Sequence, residues 1–142
     1  GAEYCFNGLG ARRPGGYAGV LRSERALRGE VFGAGRHYLG LSAANQATPL
    51  LTLQMLLLAN LADPSALAIP VAEYWAAQKV LVRVGGYVPV GRSPDVRAMN
   101  GLTVADVLTG SSAFRTAVSS LSLRSEYGSS PWGLFAQAGF YF

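Results

Sequence analysis

The chain has 142 residues, of which 50% are hydrophobic and only 14% are charged, and its net charge is +4. This length fits a single domain, and the charged fraction lies well below the roughly 25% of an average soluble domain. The lone cysteine, Cys5, cannot form an internal disulfide, and no group of Cys or His residues has the spacing of metal ligands. We therefore expect no disulfide scaffold, no bound metal and no cofactor.

The positive charge does not by itself predict nucleic-acid binding. The arginines are scattered along the chain, only Arg12 and Arg13 are adjacent, and no recognition motif accompanies them. We therefore expect no nucleic-acid partner. The sequence also lacks a run of roughly eighteen apolar residues, which a membrane-spanning helix would need. Residues 1–10 do not have the basic start and apolar core of a signal peptide, so we expect an exported protein to be represented here by a mature form or a fragment.

The first forty residues predict β-strands. Residues 3–9 and 17–22 fit short strands on either side of a turn rich in Pro and Gly. Residues 25–41 alternate charged side chains with small or apolar ones, and their four glycines disfavour a helix. We interpret them as one long strand whose charged face lines a water-filled interior. The charged residues in question are Arg28, Glu30 and Arg36.

Residues 49–62 show the strongest alternation in the middle of the chain, which predicts a strand. One face is apolar and includes Leu51, Leu53, Met55 and Leu57. A buried helix is the rival interpretation, because leucine favours helices. A turn at residues 63–65 leads to a return strand at residues 66–75. In that strand Pro70 predicts a bulge or an edge position, because proline cannot donate a backbone hydrogen bond.

Residues 79–91 also alternate, with Val80, Val82 and Val84 on one face and basic residues on the other. A soluble sandwich would bury these valines in its core, whereas a membrane barrel would turn them to lipid and turn Arg83 to water. Glu73 and Arg83 join the charged residues expected in the interior. Such charges would plug a narrow barrel through ion pairs or select anions in a wide one.

Residues 92–121 predict a long loop, with turn signals near both 93–95 and 100–101 and a short helix at 102–108. The only histidine, His37, has no spacing to Ser and Asp residues that singles out a catalytic triad. We therefore predict no catalytic residues. The alternative is an enzyme that uses loop residues near Asp95 and Asp106.

The last thirteen residues, SPWGLFAQAGFYF, predict a strand with one apolar face. Alternate residues are all apolar: Trp132, Leu134, Ala136, Ala138, Phe140 and Phe142. This stretch resembles the terminal strand of Gram-negative outer-membrane β-barrels, which ends in an aromatic residue, most often Phe. The resemblance implies that the strand closes a barrel and that Phe140 and Phe142 form the signal read by the barrel-assembly machinery.

Together these patterns predict an all-β fold, an antiparallel up-and-down transmembrane β-barrel or the C-terminal portion of one, with roughly six to eight strands in residues 1–142. The side chains expected to face lipid are Leu51, Leu53, Met55, Leu57, Val80, Val82, Val84, Leu134 and Phe140. The resemblance implies a porin-like pore or a structural component of the bacterial outer membrane, without catalytic chemistry. Its expected partners are the lipid bilayer, the assembly machinery and other chains that complete a barrel. The alternatives are a soluble all-β domain that binds a ligand or a partner, and a membrane-embedded barrel enzyme.

Overall fold

The computed structural model describes residues 1–94, 100–120 and 123–141. One antiparallel sheet of six strands dominates this part of the chain, and each strand pairs with its neighbour in sequence. The strands are β1 (Ala2–Phe6), β2 (His37–Thr48), β3 (Leu51–Asn60), β4 (Ser65–Ala77), β5 (Val80–Val90) and β6 (Gly133–Phe140). The prediction of an all-β, antiparallel fold is confirmed. The sheet formed by the described residues is open, with β1 and β6 at its edges, and does not close into a barrel.

The connections between strands differ sharply at the two ends of the sheet. Residues 49–50 and 78–79 form short turns at one end, which we call the turn end. The turn at 61–64 and the long segments 7–36 and 91–132 lie at the other end, which we call the loop end. This arrangement follows from the meander, because consecutive antiparallel connections alternate between the two ends.

Short helices occupy the two long segments. A 3-10 turn (Pro14–Gly16), α1 (Tyr17–Leu21) and α2 (Glu24–Leu27) lie between β1 and β2. Between β5 and β6 lie α3 (Val104–Thr109), α4 (Ser112–Ser120) and a 3-10 turn (Tyr127–Ser129).

Capping residues account for the beginning of two of these helices. The side chain of Ser23 accepts a hydrogen bond of 3.2 Å from the backbone N–H of Ala26 at the start of α2. Thr103 and Asp106 form a reciprocal capping box at the start of α3.

The prediction of strands at 17–22 and over the first half of 25–41 was wrong. Residues 17–21 form α1, and residues 24–27 form α2, because Ser23 caps that helix. Gly29, with φ of 74°, turns the chain after α2, and glycine adopts this backbone conformation readily. The strand β2 begins only at His37 and continues to Thr48.

Arg28, Glu30 and Arg36 consequently lie in the segment that precedes β2, and none of them is on the sheet. The interpretation that placed them along a strand facing an interior depended on the strand 25–41. It fails with that strand, because helix capping and glycine turns outweighed an alternation that was only weakly apolar.

The interior strands follow the sequence pattern closely. The alternation at 49–62 forms β3, so the rival helix is excluded. Pro70 lies inside β4, where pairing with β5 stops at Ala68–Val88 and resumes at Val71–Gly85, as its missing N–H requires. The predicted helix at 102–108 is found as α3. Asp95 and Phe142 lie outside the described residues, so the expectations attached to them stay predictions.

Buried apolar side chains are few in the described part of the chain: Tyr17, Ala34, Tyr38 and Ala117. Tyr17 and Ala34 belong to segment 7–36, and Tyr38 lies where β2 begins, so these three gather at the loop end. Along the middle of β3, β4 and β5 most side chains are half-buried or exposed. The sheet therefore has a packed cap at one end and two largely uncovered faces.

Candidate functional site

The pairing register sorts the side chains of the sheet into two faces, because successive residues of a strand point to opposite sides. One row of paired residues crosses the sheet as Asn45, Leu53, Ala72, Val84 and Ala136. The adjacent row runs through Gln46, Thr52, Glu73, Arg83 and Gln137. We call the first side the apolar face. The second side carries the charged pair and we call it the polar face, although many of its other side chains are apolar, among them Leu56, Leu58, Leu67, Ile69 and Phe135.

All nine side chains that were expected to face lipid lie on the apolar face. From β3 to β6 this face carries no charged side chain. Many of its residues are solvent-exposed, among them Met55 at 45%, Val84 at 46% and Leu134 at 79%. Monomeric soluble proteins rarely expose a large contiguous apolar patch, so this face is a candidate interaction surface.

Aromatic side chains bound the apolar face at both ends. Tyr4 and Phe6 are each 57% exposed near the loop end, and Tyr74 and Phe140 are 46% and 66% exposed near the turn end. Tyr4 lies level with Ala59 of β3, and Tyr74 pairs with Leu51. The strand between these two levels covers about 26 Å at the usual rise of a β-residue.

A groove crosses the apolar face where small residues lie between larger ones. Its volume is 1140 Å³, and its floor includes Ala72, Gly86 and Ala136. Leu53, Met55, Val88 and Leu134 are among the residues that form its walls. Its walls offer van der Waals contacts and few hydrogen bonds, so the groove suits a hydrocarbon chain.

The polar face carries an ion pair at its centre. Arg83 Nε lies 2.6 Å from Glu73 Oε1, and the two residues are directly paired across β4 and β5. Thr52 and Gln137 lie in the same row on the neighbouring strands. The structure therefore brings together two of the predicted interior charges, and they neutralise each other.

A second concentration of polar groups lies at the loop end of the polar face. We call it the polar cluster and define it by Tyr17, Tyr38, Asn60, Asp63 and Glu126. The Asn60 amide donates to Glu126 Oε2 at 2.6 Å and to the Tyr17 hydroxyl at 3.0 Å. Because these residues come from segment 7–36, the start of β2, the β3–β4 turn and segment 91–132, the cluster joins parts of the chain that are distant in sequence.

Glu126 is the central acceptor of the polar cluster. Its carboxylate accepts hydrogen bonds from the backbone N–H of Ala34 at 2.7 Å and from the Tyr38 hydroxyl at 2.7 Å. The Gly35 N–H donates to Glu126 Oε2 at 3.3 Å and to the Tyr38 hydroxyl at 2.7 Å. Any side chain at Gly35 would overlap the Asn60 amide, so only glycine fits there.

Asp63 is the second acid of the polar cluster and, unlike the half-buried Glu126, is buried. Its Oδ2 accepts hydrogen bonds from the Tyr17 hydroxyl at 2.6 Å and from the Glu126 backbone N–H at 3.2 Å. Its Oδ1 is buried and has no hydrogen-bond partner within the described ranges. Neither Asp63 nor Glu126 forms an ion pair with any described residue, so both depend on neutral donors.

Burial raises the pKa of Tyr17 well above its ordinary value, and the hydrogen bond to Asp63 raises it further. Burial also raises the pKa of Tyr127, followed by the negative charges of Glu126 and Asp63. Both phenols therefore remain protonated at neutral pH, and Tyr17 acts as a hydrogen-bond donor to Asp63. The polar cluster is suited to holding segments together rather than to proton transfer.

Sequence reasoning missed Asn60, Asp63 and Glu126 as members of one site. Asn60 appeared as one residue of the mixed face of a strand, and Asp63 as part of a turn signal. Glu126 lies between the predicted loop and the predicted terminal strand, directly before a 3-10 turn. No local pattern marks such residues, because Tyr17 is 43 and 46 positions away from Asn60 and Asp63, and Glu126 is more than 60 positions away from both.

The remaining candidates for chemistry are engaged in local contacts. His37 Nδ1 lies 2.7 Å from the Tyr4 hydroxyl on the apolar face. Hydrogen bonds from Thr103, and a further one from Ser111, lower the pKa of the Asp106 carboxyl, which caps α3. Within residues 1–94, 100–120 and 123–141, no group of three or more His, Cys, Asp or Glu side chains could hold a metal ion.

No helix in the described part of the chain is long and apolar enough to cross a membrane. Comparison of the chain with models of protein families, with curated proteins and with solved structures finds no match.

Proposed function

We propose that this chain forms part of the wall of a bacterial outer-membrane β-barrel, as a pore or a structural membrane component without catalytic chemistry. The observation that carries the proposal is the apolar face, which is exposed and free of charge from β3 to β6. The polar face opposite holds an ion pair between Glu73 and Arg83. In a barrel wall the first face contacts lipid and the second contacts the interior.

The dimensions of the sheet support this proposal. The strands β3, β4 and β5 have 10, 13 and 11 residues, and a tilted strand needs about 9–11 residues to cross the hydrocarbon core. The apolar band of about 26 Å between aromatic ends agrees with the roughly 25 Å band between aromatic girdles in such barrels. Short turns at one end and long loops at the other are typical of the same class.

In hydrocarbon, the backbone N–H and C=O groups at the two edges of the sheet must also form hydrogen bonds, because no water is present there. Bacterial barrels have at least about eight strands, so further strands must pair with β1 and β6, from the same protein or from another chain. Because the number of described strands is even, β1 and β6 run in opposite directions. An even number of added strands therefore closes the ring with antiparallel pairs throughout.

The resemblance of residues 130–142 to a terminal barrel strand supports assembly by the outer-membrane machinery. Phe140 lies exposed on the apolar face, next to the turn end. The neutralised pair of Glu73 and Arg83 favours a narrow or plugged interior over a wide anion-selective pore.

Two neighbouring positions on β6 test which side of the sheet meets lipid. Ala136 lies on the apolar face and Gln137 on the polar face, and both are exposed. In a chain with Cys5→Ser, a fluorescent label is placed on Ala136→Cys or on Gln137→Cys, and the full chain is folded into phosphatidylcholine vesicles. We expect lipids with a nitroxide on the acyl chain to quench the label at 136 strongly and the label at 137 weakly.

Iodide in the aqueous phase should give the opposite order, since a label on the polar face contacts water. Equal iodide access at both positions, without quenching by the nitroxide lipid, would refute the proposal. Failure of the chain to float with the vesicles would do the same.

The groove on the apolar face favours a second candidate, a soluble all-β domain that binds an apolar ligand. A volume of 1140 Å³ lined by Leu53, Met55 and Leu134 would accommodate a fatty acyl chain. This candidate predicts a chain that remains in the aqueous phase without detergent and binds a fluorescent fatty acid. The groove-filling change Ala72→Phe should then abolish binding, whereas the proposed barrel wall does not require such binding.

A further inference from the structure

The segment between β1 and β2, residues 7–36, carries the net positive charge of the chain. It contains six arginines and two glutamates, a net charge of +4, which equals that of the whole chain. Basic and acidic residues balance over the rest of the sequence. The arginines that look scattered in the sequence are thus concentrated at one end of the sheet.

The two glutamates of this segment, Glu24 and Glu30, both form ion pairs with Arg28. Arg28 Nε lies 2.6 Å from Glu30 Oε1, and Arg28 Nη1 lies 3.9 Å from Glu24 Oε2. Four other arginines are exposed and form no ion pair with the described residues: Arg12, Arg13, Arg22 and Arg25. These four charges are available to an external anion.

Exposed apolar side chains are interleaved with these arginines. Leu21 precedes Arg22 and is 49% exposed, and Leu27 and Phe32 are 80% and 60% exposed. A surface that combines arginines with large apolar side chains fits the boundary between headgroups and acyl chains. Arginine and leucine stems there contact hydrocarbon while the guanidinium groups remain at the polar layer.

The segment is held in a defined position on the sheet. Tyr17 is fully buried and donates to Asp63, and the Asn7 amide donates to the carbonyl oxygens of Gly33 and Gly35 at 2.8 and 3.0 Å. The arginines are therefore presented by an ordered surface, which lowers the entropy cost of binding.

The segment also begins and ends where the apolar face ends. It leaves the sheet after Phe6 and returns at His37, and Arg36 lies over the Phe6 ring at 6.0 Å from its centroid. A bilayer that covers the apolar face would place its headgroups at this level. The positive charge of segment 7–36 and its position at the edge of the apolar face therefore both favour anionic lipid headgroups as the binding partner.

Resting on the proposed function, we propose that residues 7–36 bind the phosphate-bearing headgroups of anionic lipids in the leaflet at the loop end. Arg12, Arg13, Arg22 and Arg25 contact the phosphates, and Leu21, Leu27 and Phe32 insert beside the upper acyl chains. The attraction of one basic side chain to an anionic surface corresponds to about a fivefold change in affinity. Four such residues give a clear preference for anionic over zwitterionic lipid.

The experiment measures the relative association of spin-labelled phosphatidylglycerol and phosphatidylcholine with the full chain in phosphatidylcholine vesicles. We expect phosphatidylglycerol to be preferred by about fivefold or more, and the preference to fall as salt is added, because salt screens exposed charges. Arg22→Gln with Arg25→Gln should lower the preference by at least about fivefold. The matched control, Arg115→Gln with Arg124→Gln, removes the same charge from exposed positions in the other long segment and should leave the preference unchanged.

Equal losses in the two variants would overturn the proposal, because they would indicate a response to net charge alone. Absence of a preference in the unmodified chain would also overturn it. So would tighter binding of a single-stranded oligonucleotide than of anionic vesicles, which would identify another class of polyanion. Quenching of the label at position 136 is measured in the same vesicles. Absence of this quenching would contradict the barrel-wall proposal and, with it, the lipid-binding proposal. Quenching without a preference for phosphatidylglycerol would contradict the lipid-binding proposal alone.

Discussion

Glu126 is the residue on which the packing of the loop end depends most. Its carboxylate accepts hydrogen bonds from Ala34, Tyr38 and Asn60, which belong to three different parts of the fold. A half-buried carboxylate without an ion pair loses part of its hydration, and hydrogen-bond donors must replace it. At the residue scale, one acid therefore joins segment 91–132 to segment 7–36 and to the sheet.

Replacing Glu126 should loosen both long segments without unpairing the sheet. In Glu126→Ala each buried donor that loses its acceptor costs about 1–3 kcal/mol. Glu126→Gln keeps one acceptor oxygen, so its loss should be smaller. Hydrogen exchange at the Ala34 and Gly35 amides should increase most in the alanine variant, less in the glutamine variant, and not at all at amides in the β3–β4 ladder.

Increased exchange over the β3–β4 ladder to the same extent would contradict the view that the cluster acts only at the loop end. The matched control is Glu3→Ala, which removes an exposed acid from β1 and should leave exchange at Ala34 and Gly35 unchanged.

Tyr17 should make the protein sensitive to alkaline pH. Its pKa is raised by burial and by Asp63, whereas in the unfolded chain the phenol ionises near its ordinary value. The folded state therefore holds this proton more tightly. The stability that it contributes is complete below about pH 10 and decreases above that, by up to about 1.4 kcal/mol per pH unit.

Urea unfolding followed from neutral pH to above pH 10 checks this expectation. Tyr17→Phe should be less stable at neutral pH, since Asp63 loses a donor, and should lose less stability on going to alkaline pH. Tyr141→Phe, at an exposed position, should follow the unmodified protein. Parallel curves for Tyr17→Phe and the unmodified chain would contradict the assignment.

At the scale of single elements, β3 presents adjacent side chains to the two different faces of the sheet. Gln54 and Met55 are adjacent and both exposed, but they lie on the polar and the apolar face. Met55 is also midway between Leu51 and Ala59, and so at the middle of the apolar band. The same substitution at the two positions should therefore have very different effects.

Met55→Arg should destabilise the folded chain in vesicles by about 2–4 kcal/mol, the cost of a basic side chain at the bilayer midplane. Gln54→Arg should cost much less, because in the proposed barrel wall this face would contact water. Urea titration of vesicle-inserted protein, followed by tryptophan fluorescence, measures both. Equal costs at 54 and 55 would argue against a bilayer on the apolar face.

At the scale of the whole molecule, the distribution of charge and of loops gives the sheet two unlike ends. The described trypsin sites in the long connections lie at the loop end, whereas Lys79 lies in the short turn at the turn end. Arg83 is within β5 and paired with Glu73, so it is protected in the folded sheet. In the proposed arrangement, a bilayer across the apolar face would separate these two sets of sites.

When the chain inserts into sealed vesicles in a single orientation, trypsin added outside should therefore cleave just one of the two sets of sites. We expect cleavage either within 7–36 and 91–132 or after Lys79, as read by mass spectrometry of the peptides. Detergent should open both sets at once. Cleavage of both sets in sealed, uniformly oriented vesicles would be incompatible with a membrane-spanning sheet.

Much of the sheet could be predicted from the sequence, because alternation is a local property. The period of two at 49–62, 79–91 and 130–142 assigns the strands, and it also assigns Met55, Val84 and Leu134 to one face. The same reasoning failed at 25–36, where alternation was weak and where Ser23 and Gly29 provide stronger local signals. A helix cap and a glycine turn are as local as alternation, so that error was avoidable.

The sequence by itself determined which side chains share a face of the sheet, since that depends only on neighbours two positions apart. Only the tertiary structure decided that Asn60, Asp63 and Glu126 meet in one cluster, and that Arg12, Arg13, Arg22 and Arg25 are exposed without an ion pair to any described residue. The physical reason is that hydrogen bonds and ion pairs join residues by their positions in space, and sequence separation carries no information about those positions until the chain is folded.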